Sequence, residues 1–188
     1  MTWLTLPNGI SIARIALAPA LLVLAWTGRV VLFLLLLVIL VLSDFADGYL
    51  ARRRGQVSEL GAQLDGWGDL AIYLAVPVCA WWLWPEVIRP EAPFVITVVA
   101  SYTLTTAIGL VRYGRLESYH TWGGRVSGTL LGAGSLLLLA GVSAWPLRVA
   151  VVTVVLADLE EIAMMAVLPR WRADVPSLWH AMRSRGAR

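Results

Sequence analysis

The chain has 188 residues, 59% of them hydrophobic, and a mean hydropathy of +0.76, so it is predicted to lie in a membrane rather than to form a water-soluble domain. A net charge of +3 does not indicate nucleic-acid binding, because all 15 basic residues are arginines that fall in the loops and tail of a membrane protein. The single cysteine, Cys79, excludes a disulfide framework and a cysteine-based metal site.

Six apolar stretches have about the length that a transmembrane helix needs. They cover residues 10–26, 30–52, 58–84, 93–111, 122–142 and 145–168. Residues 1–7 are predicted to lie along the membrane interface, and residues 169–188 to form a cytoplasmic tail. The predicted fold class is therefore an all-α integral membrane protein, with residues 1–188 as a single domain.

The arginines predict how the chain is oriented. Six spans place both termini on one side of the membrane, and 12 of the 15 arginines fall on that side, whereas Arg29, Arg89 and Arg148 fall on the other. Because arginine is enriched in cytoplasmic loops, the termini are predicted to be cytoplasmic, in the inner membrane.

Glycines recur at every fourth residue of the fifth predicted helix, at Gly124, Gly128 and Gly132. Small residues at this spacing let neighbouring helices approach closely in a membrane, so close helix packing is expected along this stripe.

Four aspartates lie at the facing ends of the second and third predicted helices. Asp44 and Asp47 are three residues apart, and Asp65 and Asp69 are four apart, so each pair lies on one face of a helix. Anions packed this closely near lipid are unfavourable unless protonation, arginine or metal ions compensate them. Carboxylate oxygens suit divalent cations, and two such ions can hold a diphosphate and stabilise its leaving group. The pattern favours a metal-dependent diphosphate site on the cytoplasmic side.

The aspartates belong to a longer pattern, D-x2-D-G-x2-A-R-x8-G-x3-D-x3-D, which spans residues 44–69. It resembles the signature of the CDP-alcohol phosphotransferase family at every fixed position. The opening P-N-G-I-S-I-A-R at residues 7–14 is also similar to a motif of bacterial phosphatidyltransferases in that family. The resemblance implies a phospholipid-biosynthesis enzyme that transfers a phosphatidyl group from CDP-diacylglycerol to a small alcohol, with release of CMP.

The resemblance also implies roles for single residues and an expectation of a homodimer. Two Mg²⁺ or Mn²⁺ ions would be bound by Asp44, Asp47, Asp65 and Asp69. Asp69 would also be the general base that takes the proton from the acceptor hydroxyl. The implied CDP-binding residues are Asp44, Gly48, Ala51, Arg52, Ser58, Gly61 and Asp65.

The acceptor alcohol is not specified by these motifs. Gly66 and Leu70, which follow the third and fourth aspartates, differ from the residues of glycerol-phosphate-using and inositol-phosphate-using relatives. Residues 61–65 are closer to the serine-using pattern, although Gly66 and Trp67 depart from it. Serine and glycerol 3-phosphate remain the two candidates.

Four arginines on the cytoplasmic side each admit two interpretations. Arg112, Arg115 and Arg125 either bind the phosphate or carboxylate of the acceptor or simply form a positively charged cytoplasmic loop. Arg14, about one turn inside the first helix, either extends to water along the interface or faces the active site.

Three carboxylates in the predicted sixth helix are unexpected, since charges within a membrane span are unfavourable. They are Asp158, Glu160 and Glu161. Either they pair with an arginine such as Arg14 or Arg125, or they line the acceptor pocket.

Two other classes of protein remain as alternatives. An aspartate-rich polyprenyl-diphosphate transferase also holds a diphosphate through metals, but its motif needs a third aspartate where this chain has Ala51. A non-enzymatic protein that binds divalent cations needs the carboxylates but none of the other signature residues, such as Gly48 and Arg52.

Overall fold

The structure is a computed structural model that describes residues 5–53, 58–116, 121–169 and 175–186. The described residues are largely helical and contain no β-strand, which confirms the all-α prediction. The long helices are α1 (Leu6–Trp26), α2 (Val30–Arg53), α3 (Glu59–Leu83), α5 (Ala92–Tyr113), α6 (Trp122–Leu139) and α7 (Trp145–Val167). The short elements are α4 (Pro85–Ile88), a 3-10 turn (Arg89–Glu91) and α8 (Leu178–Gly186). The long helices lie at the positions of the predicted membrane-spanning stretches.

The first helix begins earlier than its apolar run indicates. Thr5 is the N-cap residue and its hydroxyl accepts a hydrogen bond from the Asn8 amide at 3.4 Å, while Pro7 occupies the first turn, where a missing N–H is tolerated. Leu6 and Pro7, which were predicted to precede the first helix, therefore belong to α1. Residues 1–4 lie outside the described part of the chain.

Within the described residues, three helical segments are long and apolar enough to cross a membrane, namely Leu6–Trp26, Leu60–Leu83 and Pro85–Tyr113. In α2, the apolar segment with described side chains is Val30–Ser43. Large apolar side chains of α2 are exposed, among them Val31 at 71% and Leu42 at 61%, as a lipid-facing helix requires. Six crossings remain a prediction.

The chain divides into two compact units, residues 1–85 and 86–188. In the first unit, α1 packs against both α2 and α3. The core of this unit includes Leu21, Phe33, Leu40 and Cys79. Because α1 contacts both α2 and α3, side chains on its inner face lie between these helices and bury residues of α3.

In the second unit, α7 packs against α5, α6 and α8. Met164 and Met165 near the end of α7 form a buried cluster with Val175 and Ala181, which lie in the predicted tail. Ala181 is fully buried, so α8 is held against α7 rather than lying free on a surface. Residues 170–174 and 187–188 of the tail lie outside the described part of the chain.

The close packing expected at every fourth residue of α6 occurs at a different glycine. A Cβ added to Gly134 would lie 2.7 Å from the backbone nitrogen of Leu147, so the backbones of α6 and α7 meet there. Among the described residues, nothing lies within 4 Å of a Cβ added at Gly128 or Gly132. The prediction is wrong at these two positions, because the buried face of α6 contains Ser127, Gly134 and Leu138 instead.

Candidate active site

Polar side chains are buried along one face of the first turns of α1. Asn8, Ser11 and Arg14, each three residues after the last, are 4%, 3% and 2% exposed. Residues at this spacing are neighbours on a helix surface. Later in the same helix the buried positions are apolar, for example Leu21 and Ala25. Buried polar groups need bonded partners. The Ser11 hydroxyl donates to the Pro7 carbonyl of the same helix at 3.3 Å, whereas Arg14 has partners on α3.

Arg14 binds two of the four signature aspartates. Its Nη1 donates to Asp65 Oδ1 at 2.9 Å, and its Nη2 donates to Asp69 Oδ1 at 2.5 Å. The two terminal nitrogens of one guanidinium thus engage two carboxylates that stand one turn apart on α3. The interpretation of Arg14 as a residue extending to water is wrong, because its side chain is 2% exposed. The alternative, an arginine that faces the predicted site, agrees with these contacts.

The glycines of α3 allow α1 to approach this closely. A Cβ added at Gly61 would lie 3.0 Å from the side-chain oxygen of Asn8, tighter than nine in ten observed Cβ contacts. A Cβ at Gly68 would lie 3.6 Å from the guanidinium carbon of Arg14, an ordinary contact. Because Asn8 lies beside Gly61 and Arg14 beside Gly68, α1 and α3 run side by side in the same direction.

Ser58 is the N-cap residue of α3. Its hydroxyl accepts a hydrogen bond from the Gly61 amide at 3.0 Å, which satisfies a donor that the helix itself leaves unpaired. Ser58 and Gly61 therefore both have a structural reason for their identity. Their predicted contacts with CDP stay predictions.

The remaining signature residues occupy the end of α2. The helix continues to Arg53, so the spacing of these residues is helical, as predicted. They are Asp44, Asp47, Gly48, Ala51 and Arg52, whose side chains lie outside the described part of the structure. Five residues, 54–58, separate the end of α2 from the start of α3. The two helix ends that carry the aspartates are therefore close along the chain.

The chemistry of Asp65 and Asp69 fits a divalent cation. Both offer carboxylate oxygens, the ligands that Mg²⁺ and Mn²⁺ prefer, and their contacts with a single guanidinium show that the two groups converge. Among the described side chains, no group of three or more His, Cys, Asp or Glu residues is placed to hold a metal ion. A site with four aspartates requires Asp44 and Asp47 as well, so the full ligand set stays a prediction.

The three predicted acceptor-binding arginines lie in the second unit. Arg112 Nη2 donates to the Leu168 carbonyl at 3.4 Å, and the same carbonyl lies 2.8 Å from the Tyr113 hydroxyl, so the end of α5 is bound to the end of α7. The Arg125 guanidinium lies 5.6 Å from the centre of the Trp122 ring, in the first turn of α6. Arg115 follows α5, and residues 117–120 after it lie outside the described part of the chain.

The three unexpected carboxylates bind other helices of the second unit. Asp158, 9% exposed, accepts a hydrogen bond from the Ser101 hydroxyl of α5. Glu160 Oε1 accepts from the Leu178 amide at 3.0 Å, at the start of α8. Among the described residues, neither Asp158 nor Glu160 pairs with an arginine, so the predicted pairing with Arg14 or Arg125 is wrong for these two carboxylates.

Glu161 makes a related contact with α6. Its Oε1 accepts from the Thr121 hydroxyl at 3.4 Å, and Thr121 is the N-cap residue of α6. A carboxylate near a helix N-terminus is stabilised by the partial positive charge there. Glu160 and Glu161 thus connect the beginnings of α8 and α6 to α7.

Asn8 and Ser11 are matched positions of the opening motif at residues 7–14, but the sequence patterns assigned them no role. Their burial has its own signal, a polar residue at every third position from Asn8 to Arg14 in an otherwise apolar helix. Such a stripe predicts a polar neighbour on the facing helix.

The profile of the CDP-alcohol phosphatidyltransferase family matches residues 4–167, a range that holds the opening motif, the aspartate signature and all six long helices. Among curated proteins and among solved structures, no match to the chain is found. Members of the family are membrane phosphotransferases of phospholipid biosynthesis and generally depend on divalent metals. The matched range covers most of the chain and contains the site that Arg14 and the α3 aspartates form, so the protein belongs to the CDP-alcohol phosphatidyltransferase family.

Proposed function

We propose that the protein transfers the phosphatidyl group of CDP-diacylglycerol to a small alcohol, serine or glycerol 3-phosphate, and releases CMP. The acceptor oxygen forms a bond to the lipid-linked phosphorus, and the bond from that phosphorus to the CMP oxygen breaks. The proton of the acceptor hydroxyl passes to Asp69. As the family is one of CDP-alcohol phosphotransferases, the polyprenyl transferase and the non-enzymatic cation-binding protein are not retained.

The convergence of Asp65 and Asp69 on Arg14 carries the proposal. Two carboxylates bound to one buried guanidinium must lie close together, so α3 presents them as a pair. We propose that Asp44 and Asp47, from the end of α2, complete the set that binds two Mg²⁺ or Mn²⁺ ions. Such ions, when bound, polarise the phosphorus and offset the charge that develops on the leaving CMP.

The exposure of the two α3 carboxylates supports different roles for them. The Asp69 side chain is 43% exposed and the Asp65 side chain 23%, so Asp69 is more accessible to an acceptor that arrives from water. A general base has to lie within hydrogen-bond reach of the proton that it removes. We therefore propose that Asp65 and Asp69 both bind metal and that Asp69 also removes the proton, with Gly48, Ala51, Arg52, Ser58 and Gly61 contacting the CDP moiety.

The acceptors under consideration share an anionic group, a carboxylate in serine and a phosphate in glycerol 3-phosphate. Arginine binds both through charge-assisted hydrogen bonds. We propose that Arg112, Arg115 or Arg125 provides these bonds. We further propose a homodimer in the inner membrane, with the site on the cytoplasmic side, because the arginine distribution favours that orientation.

The decisive experiment measures CMP release by the purified protein with CDP-diacylglycerol and Mn²⁺ or Mg²⁺. Serine, glycerol 3-phosphate, inositol and inositol phosphate are supplied separately. Release with serine or glycerol 3-phosphate supports the proposal and identifies the acceptor, whereas release only with an inositol compound overturns the acceptor assignment.

A chelator arm tests the metal requirement in the same assay. Removal of divalent ions is expected to stop CMP release, and added Mg²⁺ or Mn²⁺ is expected to restore it. Turnover that persists with a chelator would contradict metal binding by the four aspartates.

A further inference from the structure

We propose that Arg14 is a positioning residue, which holds Asp65 and Asp69 in the arrangement that binds the divalent ion. This inference rests on the proposed function, since it concerns how the same aspartates are oriented. Arg14 lies outside the aspartate signature, on a different helix, 51 and 55 residues before its two partners.

The contact geometry supports positioning rather than a general charge effect. Arg14 uses separate nitrogens for Asp65, at 2.9 Å, and for Asp69, at 2.5 Å, so the planar guanidinium fixes the distance between the two carboxylates. Lysine carries the same charge but concentrates it on one ammonium nitrogen and lacks this rigid fork. Hydrogen bonds to ligating carboxylates orient them and are worth about 10- to 100-fold in metal affinity or activity.

The surroundings of Arg14 hold the guanidinium in place. The side chain is 2% exposed, so it cannot adopt alternative positions in water. Gly68 lies directly beside it, and a Cβ there would contact the guanidinium carbon at 3.6 Å. The space available to the guanidinium is therefore bounded on the α3 side by a residue without a side chain.

The direction in which a change at Arg14 shifts the metal affinity distinguishes a positioning role from a purely electrostatic one. A fixed positive charge beside a cation site opposes cation binding, so removal of an arginine that only supplies charge should tighten metal binding. Removal of an arginine that orders the ligands should weaken it. Arg14→Lys keeps the charge and removes the fork, which isolates the geometric contribution.

The experiment titrates Mn²⁺ into the detergent-purified full-length protein and follows the loss of the free Mn²⁺ signal by electron paramagnetic resonance. Arg14→Lys is expected to weaken Mn²⁺ binding by about tenfold or more. Arg148→Lys is the matched control, because Arg148 also pairs with a buried carboxylate, Glu91, but in the other compact unit. Its Mn²⁺ affinity is expected to equal that of the wild type. Binding by Arg14→Lys that is as tight as in the wild type, or tighter, overturns the proposal.

A second pair of variants, one of them a control, tests displacement of the guanidinium without a change of charge. Gly68→Ala places a methyl group at ordinary contact distance from Arg14 and is expected to keep wild-type Mn²⁺ affinity. Gly68→Val extends further methyl groups toward the guanidinium and is expected to weaken Mn²⁺ binding as Arg14→Lys does. Wild-type affinity in Gly68→Val would contradict positioning by Arg14.

Turnover gives an independent readout. At saturating Mn²⁺, Arg14→Lys is expected to lower kcat about tenfold, because Asp69 is no longer held in place. If the wild type releases CMP and binds Mn²⁺, and Arg14→Lys does both equally well, the positioning role of Arg14 is overturned and the proposed function is not. Wild-type protein that neither binds Mn²⁺ nor releases CMP overturns the proposed function itself.

Discussion

The two compact units each contain an arginine paired with buried or partly buried carboxylates, but the two pairs are built differently. In the second unit, Arg148 binds both oxygens of a single carboxylate, that of Glu91, at 2.9 and 2.7 Å. In the first unit, Arg14 spans two carboxylates, Asp65 and Asp69. Arg148 is 34% exposed, whereas Arg14 is 2% exposed.

The difference shows that an ion pair within a membrane protein is not by itself a sign of catalysis. Glu91 has both oxygens occupied by Arg148, whose guanidinium also lies 5.2 Å from the Phe94 ring and 5.4 Å from the Trp145 ring, so the pair connects the start of α5 to the start of α7. Arg14 engages one oxygen in each of two carboxylates that the family signature contains. The first arrangement is suited to stability, and the second to holding ligands.

Replacing one carboxylate in each unit by its amide gives the largest contrast. Asp69→Asn is expected to lower kcat for CMP release by about a thousandfold, because the amide cannot accept the acceptor proton. Glu91→Gln serves as the control and is expected to keep wild-type turnover in folded protein. Substantial turnover by Asp69→Asn would remove this residue as the base.

Removal of the arginine in the second unit should affect stability rather than chemistry. Arg148→Met leaves Glu91, 4% exposed, without its partner and is expected to lower the free energy of unfolding. The measurement is denaturant unfolding in detergent, followed by circular dichroism. A loss of kcat in protein that remains folded would show that the second pair also serves the reaction.

A smaller loss of stability is expected when the contact between α6 and α7 in the second unit is disturbed. Gly134→Ala would place a Cβ 2.7 Å from the Leu147 backbone and is expected to lower the free energy of unfolding by about 2 kcal/mol. Gly128→Ala is the control on the same helix, because open space surrounds that position among the described residues. The same unfolding measurement distinguishes them, and equal stability of the two variants would contradict close packing at Gly134.

The smallest expected effect concerns the acceptor. Arg125→Ala is expected to raise the KM of the acceptor by about tenfold, as loss of a hydrogen bond to a charged group predicts, and to leave the KM of CDP-diacylglycerol unchanged. Steady-state kinetics with each substrate varied in turn measures both values. An unchanged acceptor KM would assign Arg125 to the positively charged loop alone.

Periodicity and composition were sufficient to locate the helices. The six apolar stretches coincide with α1 to α3 and α5 to α7, because a helix of apolar residues satisfies its own backbone hydrogen bonds within the segment. The aspartate signature likewise predicted which carboxylates of α3 lie on one face. The early start of α1 was missed, since the bond from the Asn8 amide to Thr5 is a capping contact that hydrophobicity does not report.

The sequence did not predict which residues make the contacts between helices. Gly128 and Gly132 match a packing motif, yet Gly134 is where the α6 and α7 backbones come closest among the described glycines, because the rotation of α6 about its axis depends on all its neighbours. Asp158 and Glu160 bind Ser101 and the start of α8 for the same reason, and no local pattern indicates such partners.

The sequence by itself determined the all-helical membrane class and the family, and it predicted the four aspartates as metal ligands, because each depends on residue type and spacing within one segment. Only the tertiary structure decided that Arg14 is buried against Asp65 and Asp69, as its two possible environments differ in which helix packs beside it. The packing of α1 along the glycines of α3 removes that arginine from water and makes two carboxylates its partners.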